Sequence, residues 1–360
     1  MDDFILLLAI VFLIHKVLNK SNENYSTEKE SAMIKNQWYG ILDSKELKGS
    51  KPIGVTRLNE KLVLWRKADG SIGCIADKCC HRGAALHLGP VKNDEIFCPF
   101  HGFAYDVSGK VTLIPANGKA APISDRYKVH AYKAVEQYGF IWVWTGDFKD
   151  EAPEVPFFKE LREGFSYGGF GEVWDVHYTR AIENQLDVVH LPFVHTDSIG
   201  RGNRTVVNGP VVKWVDNLMT FYVDNHVDDG LTVAKKASEL ENYEDFFHLQ
   251  LQMPNLWQNV IGEKIRIVAV FAPIDEDHTK IYVRFYQKFM LVPGLKQLIN
   301  ALSTPTNKHV FHQDRRVVNT QIPVKSEFTM GENLIPGDAP ILEFRKRRAF
   351  LKGEIVLRQK

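Results

Sequence analysis

Apolar positions change period twice along this chain. Phe4 to Ile14 is an unbroken run of eleven apolar residues, and Val17 and Leu18 extend it past His15 and Lys16. From Gln37 to about Phe148 the apolar residues come instead in short β-favouring groups separated by turn signals. Lys61-Leu-Val-Leu-Trp-Arg66 leads into Asp69-Gly70, a hairpin signature, and then Ile72 and Ile75. Gly139-Phe-Ile-Trp-Val-Trp144 predicts a further strand, ended by Gly146 and Asp147. The Pro-bearing stretch Glu151-Ala-Pro-Glu-Val-Pro156 marks a domain boundary. Beyond it the periods mix: strands are predicted over Met219–Val223, Ile265–Phe271 and Lys280–Tyr286, and helices over Arg180–Leu191 and Thr306–Gln321. The expected fold is therefore α+β, an all-β domain followed by a layer of strands and helices. The expected organisation is a hydrophobic segment over residues 1–20, a polar tether over 21–36, a β domain over 37–150 and a second domain over 151–360.

Composition narrows the class. Lys and Arg number 45 against 44 acidic residues, which gives no electrostatic footprint for nucleic acid. A spanning helix needs about 20 apolar residues, so Phe4–Ile14 reads either as a short anchor with Lys16 snorkelling or as a helix packed on protein. Asp2 and Asp3 stand where a secretory signal would be basic. Lys16, Lys20 and Lys29 favour a body on the cytoplasmic side, membrane-associated if the segment anchors. Of the four cysteines, Cys74 and Cys80 can bridge or stay free, and a reducing compartment favours free thiols.

Cys79-Cys80-His81 and Cys98-Pro99-Phe100-His101 each offer one thiolate and one imidazole. Zinc sites with two Cys and two His usually keep like ligands together. The interleaved order suits a 2Fe–2S cluster in which two Cys hold one iron and two His the other. Gly83 and Gly102 follow the pairs where tight loops need small residues. Downstream, Glu183, Asn184, Asp187 and His190 would share an arc of roughly 120° on a helix, which an ordinary solvated face explains equally well. Pro192 would let the chain turn so that His195 swings back towards His190. Two imidazoles need a carboxylate to form the facial triad of a non-haem iron(II) oxygenase. Asp314 sits at the centre of the stripe Val310, Phe311, Val317 and Val318, where it would meet either a metal or Arg315 or Arg316. His309 and His312 fall on the far side.

Cys79 to Lys110, then Asn184-x-x-Asp187-x-x-His190-x4-His195 and finally Gln313-Asp314, closely resemble the Rieske non-haem iron oxygenases, with likeness from about Gln37 to Gln321. The resemblance implies a Rieske 2Fe–2S domain with Cys79, His81, Cys98 and His101 as ligands. It implies a helix-grip catalytic domain whose mononuclear Fe(II) is held by His190, His195 and Asp314. Asp187 would bridge that site to the cluster of a neighbouring subunit in a homotrimer, and Asn184 would line the iron pocket. Dioxygen is then the co-substrate.

Gly168-Gly-Phe-Gly171 lacks the third glycine of a dinucleotide fingerprint, with Trp174 in its place, and no four-Cys ferredoxin pattern remains. Electrons must come from a separate NAD(P)H-dependent reductase, with or without a ferredoxin. Chain length resembles the α-only monooxygenases and demethylases, which hydroxylate or oxidatively demethylate a hydrophobic or ring-containing small molecule. The apolar start is similar to sterol desaturases and chlorin oxygenases acting on membrane-partitioned polycycles. Asp224, Asn225, His226, Asn255, Trp257 and Asn259 are candidates for a substrate wall, against plain core packing for Met253, Leu256 and Trp257. Two readings of other classes are an electron carrier without oxygenase activity and an apolar-ligand binder. An iron count separates both from the oxygenase.

Overall fold

The computed structural model describes residues 33–148 and 151–357. The segment Phe4–Leu18 and the polar stretch up to Glu30 lie outside them. Among the described residues no helix is long and apolar enough to cross a membrane.

The first half is built from ten short strands: β1 (Trp38–Asp43), β2 (Ile53–Arg57), β3 (Glu60–Arg66), β4 (Ile72–Ala76), β5 (Val91–Lys92), β6 (Glu95–Phe97), β7 (Ala104–Tyr105), β8 (Val111–Leu113), β9 (Ala134–Gln137) and β10 (Phe140–Trp144). They form three antiparallel sheets, ordered β1-β10-β9, β2-β3-β4 and β5-β6-β7-β8. The predicted hairpin is β3 to β4, pairing Arg66 with Ile72 around the Asp69-Gly70 turn. Leu62, Leu64 and Cys74 pack into one core, and Val63, Trp65 and Ile75 into another, because successive strand residues face opposite ways.

The second half is one seven-stranded antiparallel sheet, β11 (Ser166–Trp174), β12 (Val206–Val215), β13 (Leu218–His226), β14 (Phe247–Gln252), β15 (Leu256–Ile261), β16 (Ile265–Pro273) and β17 (Thr279–Gln287), in the order β11-β17-β16-β15-β14-β13-β12. Helices α1 (Tyr178–Leu186), α2 (Leu191–Val194), α3 (Leu295–Val318) and α4 (Ala339–Leu351) complete it. Ile182, Phe311 and Phe344 from α1, α3 and α4 pack with Trp174, Phe221, Leu251 and Phe271 of the sheet. The architecture is α+β, as expected.

Two helix boundaries differ from expectation. Helix α1 stops at Leu186, and Asp187 adopts extended geometry with φ −76° and ψ 118°. Glu183, Asn184, Asp187 and His190 therefore do not share a helix face. Pro192 does not break a helix either; it lies in the first turn of α2, where a missing N–H costs little. Helix α3 begins at Leu295, well before the predicted Thr306, and runs through Pro305. Around the proline, the hydroxyls of Ser303 and Thr304 donate to the Asn300 carbonyl and the Asn307 amide donates to that of Ser303.

The halves are joined by polar and apolar contacts. Asn255, fully buried, donates to the carbonyls of Gly40 and Phe271 and accepts from the Gly40 N–H. It is a joint between β1 and the large sheet, not part of a substrate wall. Arg284 donates to Asp43 at 2.8 Å and to the carbonyls of Tyr138 and Gly139, with its guanidinium 3.4 Å from the Phe140 ring centroid. Trp38, Phe140, Trp142 and Trp144 share a core with Leu256, Val268 and Val270.

Candidate metal centres

The two Cys–His loops have the same backbone. In each, the cysteine N–H donates to the carbonyl five residues on (Ala84, Phe103), and the glycine N–H four residues on returns to the cysteine carbonyl. That glycine has φ +74° at Gly83 and +73° at Gly102, a left-handed turn that a side chain would strain. The histidine is third in the first loop and fourth in the second. Cys79 and Cys98 are buried, while His81 and His101 are exposed with ring centroids 4.7 Å apart. Among the described residues the one group of three or more ligand side chains converging within 4.8 Å lies elsewhere. The two imidazoles stand side by side at the surface and the two thiols are buried, an arrangement that suits a cluster with two Cys on one iron and two His on the other. All four cysteines are free, including Cys74 and Cys80. Burial raises the Cys98 thiol above its ordinary value, against the backbone N–H groups of Phe100 and His101.

Tyr105 was not visible as a site residue in the sequence. Its hydroxyl accepts from the Cys80 N–H at 3.0 Å and can donate to Cys79 Sγ at 3.0 Å or to Cys80 Sγ at 3.3 Å, the shorter contact being to the Cys79 sulfur. Such a bond favours the reduced, more negative cluster. Tyr105→Phe is expected to lower the cluster potential by roughly 50 mV, the equivalent of one hydrogen bond per electron. Redox titration followed by EPR measures it, and an unchanged midpoint would count against this role.

The converging group is His190, His195 and Asp314. Asp187 ends α1 and turns the chain: its Oδ1 accepts from the N–H groups of Val189 and His190 at 2.7 and 3.1 Å. The chain then enters α2, which His195 ends, and Asp314 reaches across from α3. Asp314 Oδ1 lies 3.0 Å from His195 Nε2 and 3.3 Å from His190 Nε2. Yet that oxygen is buried without a well-directed hydrogen bond, as is His190 Nδ1, 3.7 Å from Asp187. Two imidazole nitrogens and a carboxylate oxygen thus face a common point, the donor set of a facial triad. Burial opposes charge on His190, Asp314 and Asp187, but proximity wins. It lifts the His190 imidazolium to about 9 and holds the Asp314 and Asp187 carboxyls below their ordinary values. A cation at that point would take the place of the protons.

Arg315 lies 3.6 Å from Asp175, so it is not the partner of Asp314. His309 faces Asp197 and His312 faces Glu172, away from the triad as expected. Of the wall candidates, Trp257, Asn259 and Asn225 lie on the same sheet face as Leu251, Leu249 and Phe221, towards the helices. Asp224 and His226 alternate to the opposite side, where they pair at 2.8 Å and Asn208 donates to Asp224. Met253 and Leu256 are core.

Two family models match the chain in tandem: the Rieske [2Fe-2S] domain over residues 37–137 and the vanillate O-demethylase oxygenase C-terminal domain over residues 174–352. The vanillate O-demethylase oxygenase subunit of Pseudomonas sp. (strain HR199 / DSM 7063) is 32% identical over 196 residues, 53% of either chain. The chloroplastic chlorophyllide a oxygenase of Chlamydomonas reinhardtii is 34% identical over 172 residues, 47% of this chain. The chain spans about half the length of the first relative and about a quarter of the second. The solved structure of NdmA from Pseudomonas putida CBB5 superposes with a TM-score of 0.70 at 23% identity, covering 88% of this chain and 90% of NdmA, which shows a shared fold. Cluster domain first and oxygenase domain second is the order returned by independent matches to the two halves, and by it this chain belongs to the Rieske non-haem iron oxygenases.

Proposed function

We propose that the chain is a terminal oxygenase component that monooxygenates a hydrophobic or ring-containing small molecule, by hydroxylation or oxidative O- or N-demethylation. Its electrons come from a separate NAD(P)H-dependent reductase, directly or through a ferredoxin. The convergence of His190, His195 and Asp314 behind a Rieske domain carries this reading. Bound at those residues, Fe(II) supplies dioxygen activation, with the 2Fe–2S cluster of Cys79, His81, Cys98 and His101 as the source of single electrons. The overall balance is a C–H bond, dioxygen, two electrons and two protons giving an alcohol and water. On a methoxy or N-methyl carbon that alcohol breaks its C–O or C–N bond to give formaldehyde and the freed hydroxyl or amine.

The chain's residues position and select. Asp187 holds the turn that presents His190, and its carboxylate stays partly exposed, in keeping with a bridging role towards the cluster of a neighbouring subunit if the chain forms a homotrimer. Trp257 Nε1 and the side-chain oxygens of Asn225 and Asn259 are buried without a hydrogen-bond partner among the described residues, as is Asn184 Nδ2. Unpaired buried polar atoms are costly. A substrate carbonyl would accept from Trp257 Nε1 or Asn184 Nδ2, and a substrate hydroxyl would donate to the Asn225 or Asn259 oxygen. The likeness to chlorophyllide a oxygenase supports a second version of the same chemistry, on a polycycle that partitions into membranes.

The test is iron content followed by turnover of anaerobically purified protein with reductase, NADH and a panel of methoxyaromatics, N-methyl amines, terpenoids and sterols. About three irons per chain are expected, two in the cluster and one at the triad. Product should carry one oxygen from dioxygen, or formaldehyde should be released. Only about two irons, persisting after reconstitution, would defeat the reading.

A further inference from the structure

We infer that Gln313 is a positioning residue: it clasps the loop bearing His195 to the helix bearing Asp314 and fixes the His195 proton on Nδ1. The inference rests on the triad being a metal centre. Gln313 Oε1 lies 2.9 Å from His195 Nδ1 and accepts from Ser198 Oγ at 2.9 Å. Its Nε2 donates to Asp197 Oδ1 at 2.5 Å. The amide therefore has one workable orientation, because a flip would set its oxygen against the Asp197 carboxylate. With Oε1 as acceptor, His195 Nδ1 must be the donor, and the Nε2 lone pair is left facing the point shared with His190 and Asp314.

The loop side of the clasp is stiff. The N–H groups of Ser198 and Gly200 both donate to the His195 carbonyl at 3.0 Å. A Cβ on Gly200 would lie 1.9 Å from the Leu191 carbonyl oxygen, so the loop is closed against its own helical turn. Gln313 precedes Asp314 on α3, about 100° round the helix axis, which lets neighbouring residues serve the loop and the triad at once. The two imidazoles are thus held differently. His190 has only the Asp187 carboxylate at 3.7 Å beside its Nδ1, whereas His195 is oriented through a neutral amide that couples two chain segments.

The probe is Co(II) in place of the mononuclear metal, in full-length protein with an oxidised Rieske cluster. Affinity is read by chelator competition, and the shifted, exchangeable His Nδ1–H resonance by proton NMR. Gln313→Leu is expected to weaken cobalt binding by about 10–100-fold and to lose the slowly exchanging resonance. Cluster content and Tm should stay at parent values. Gln313→Glu combined with Asp197→Asn, which still accepts from Nδ1–H and restores a donor at the second contact, should keep the resonance and bind within a few-fold of the parent. If Gln313→Leu binds as tightly as the parent with the resonance intact, the clasp is overturned. A fall in Tm and cluster content alongside affinity also overturns it, in favour of a folding role. A parent protein that takes up no cobalt overturns the metal centre itself, and the clasp with it.

Discussion

Asp314→Ala protein is expected to retain its 2Fe–2S cluster, lose about one iron per chain and fall by at least about a thousand-fold in product formation. The carboxylate is the only anion of the converging group, and both Nε2 atoms approach the same oxygen, at 3.0 and 3.3 Å. Without it the buried imidazole of His195 and the largely buried one of His190 would have to hold a dication alone, and a third protein donor would be missing from the set. Iron analysis paired with the Rieske EPR signal reads the two centres separately. A variant that keeps both the third iron and turnover would move the ligand role to another carboxylate. Loss of the EPR signal as well would indicate a failure to fold.

Glu183→Ala is expected to cost about 3–5 kcal/mol and lower Tm by on the order of 10 °C. Glu183 bonds Arg345 through both carboxylate oxygens, at 2.7 and 2.9 Å, and Arg180 at 3.1 Å. Glu332 closes the square, 2.7 Å from each guanidinium. The arginines are 2% and 4% exposed, so deleting Glu183 leaves two buried cations sharing one partly exposed acid. The same helix turn supplies the carbonyl that accepts from the Asp187 N–H, so the ligand loop should loosen as α1 frays. Thermal unfolding and proteolysis near Asp187 measure both effects. A variant with parental Tm would show that Glu332 alone neutralises the pair.

The cluster loops were legible because their ligands are near neighbours in sequence and the glycine positions report backbone geometry directly. Strands such as β3, β10, β16 and β17 were legible from alternation and β-branched content. The end of α1 was not, because helical spacing continues on paper through His190. In the fold the Asp187 carboxylate takes up the N–H groups of Val189 and His190, and this local bond displaces the helical one. The front of α3 was hidden by Pro305 and by leucines that stay exposed, Leu295, Leu298 and Leu302. Helix α4 was hidden because Arg345 and Arg348 face inward, which erases the apolar stripe that periodicity seeks. The inward position of Asp314 was legible because a stripe can be reckoned locally, but the stripe did not choose between a metal and Arg315 or Arg316 as its partner. The role of Gln313 could not be reckoned locally, since its partners Asp197 and Ser198 lie more than a hundred residues away in the chain.

The joint between the halves bears on how such a chain can be taken apart. Trp38, Phe140, Trp142 and Trp144 belong to the first half by sequence, yet they are buried with Leu256, Val268 and Val270 of the second. Across the same seam Asn255 bonds the Gly40 backbone, and Arg284 bonds the Tyr138 and Gly139 carbonyls and the Asp43 carboxylate. Although the chain reads as two tandem cassettes, neither is a self-sufficient module. A chimera that exchanged one alone would bare four large aromatic rings and orphan a buried amide and a guanidinium. Working hybrids would have to carry β1, β10 and the facing surface of β15–β17 together, so the unit of recombination is the seam and not the domain.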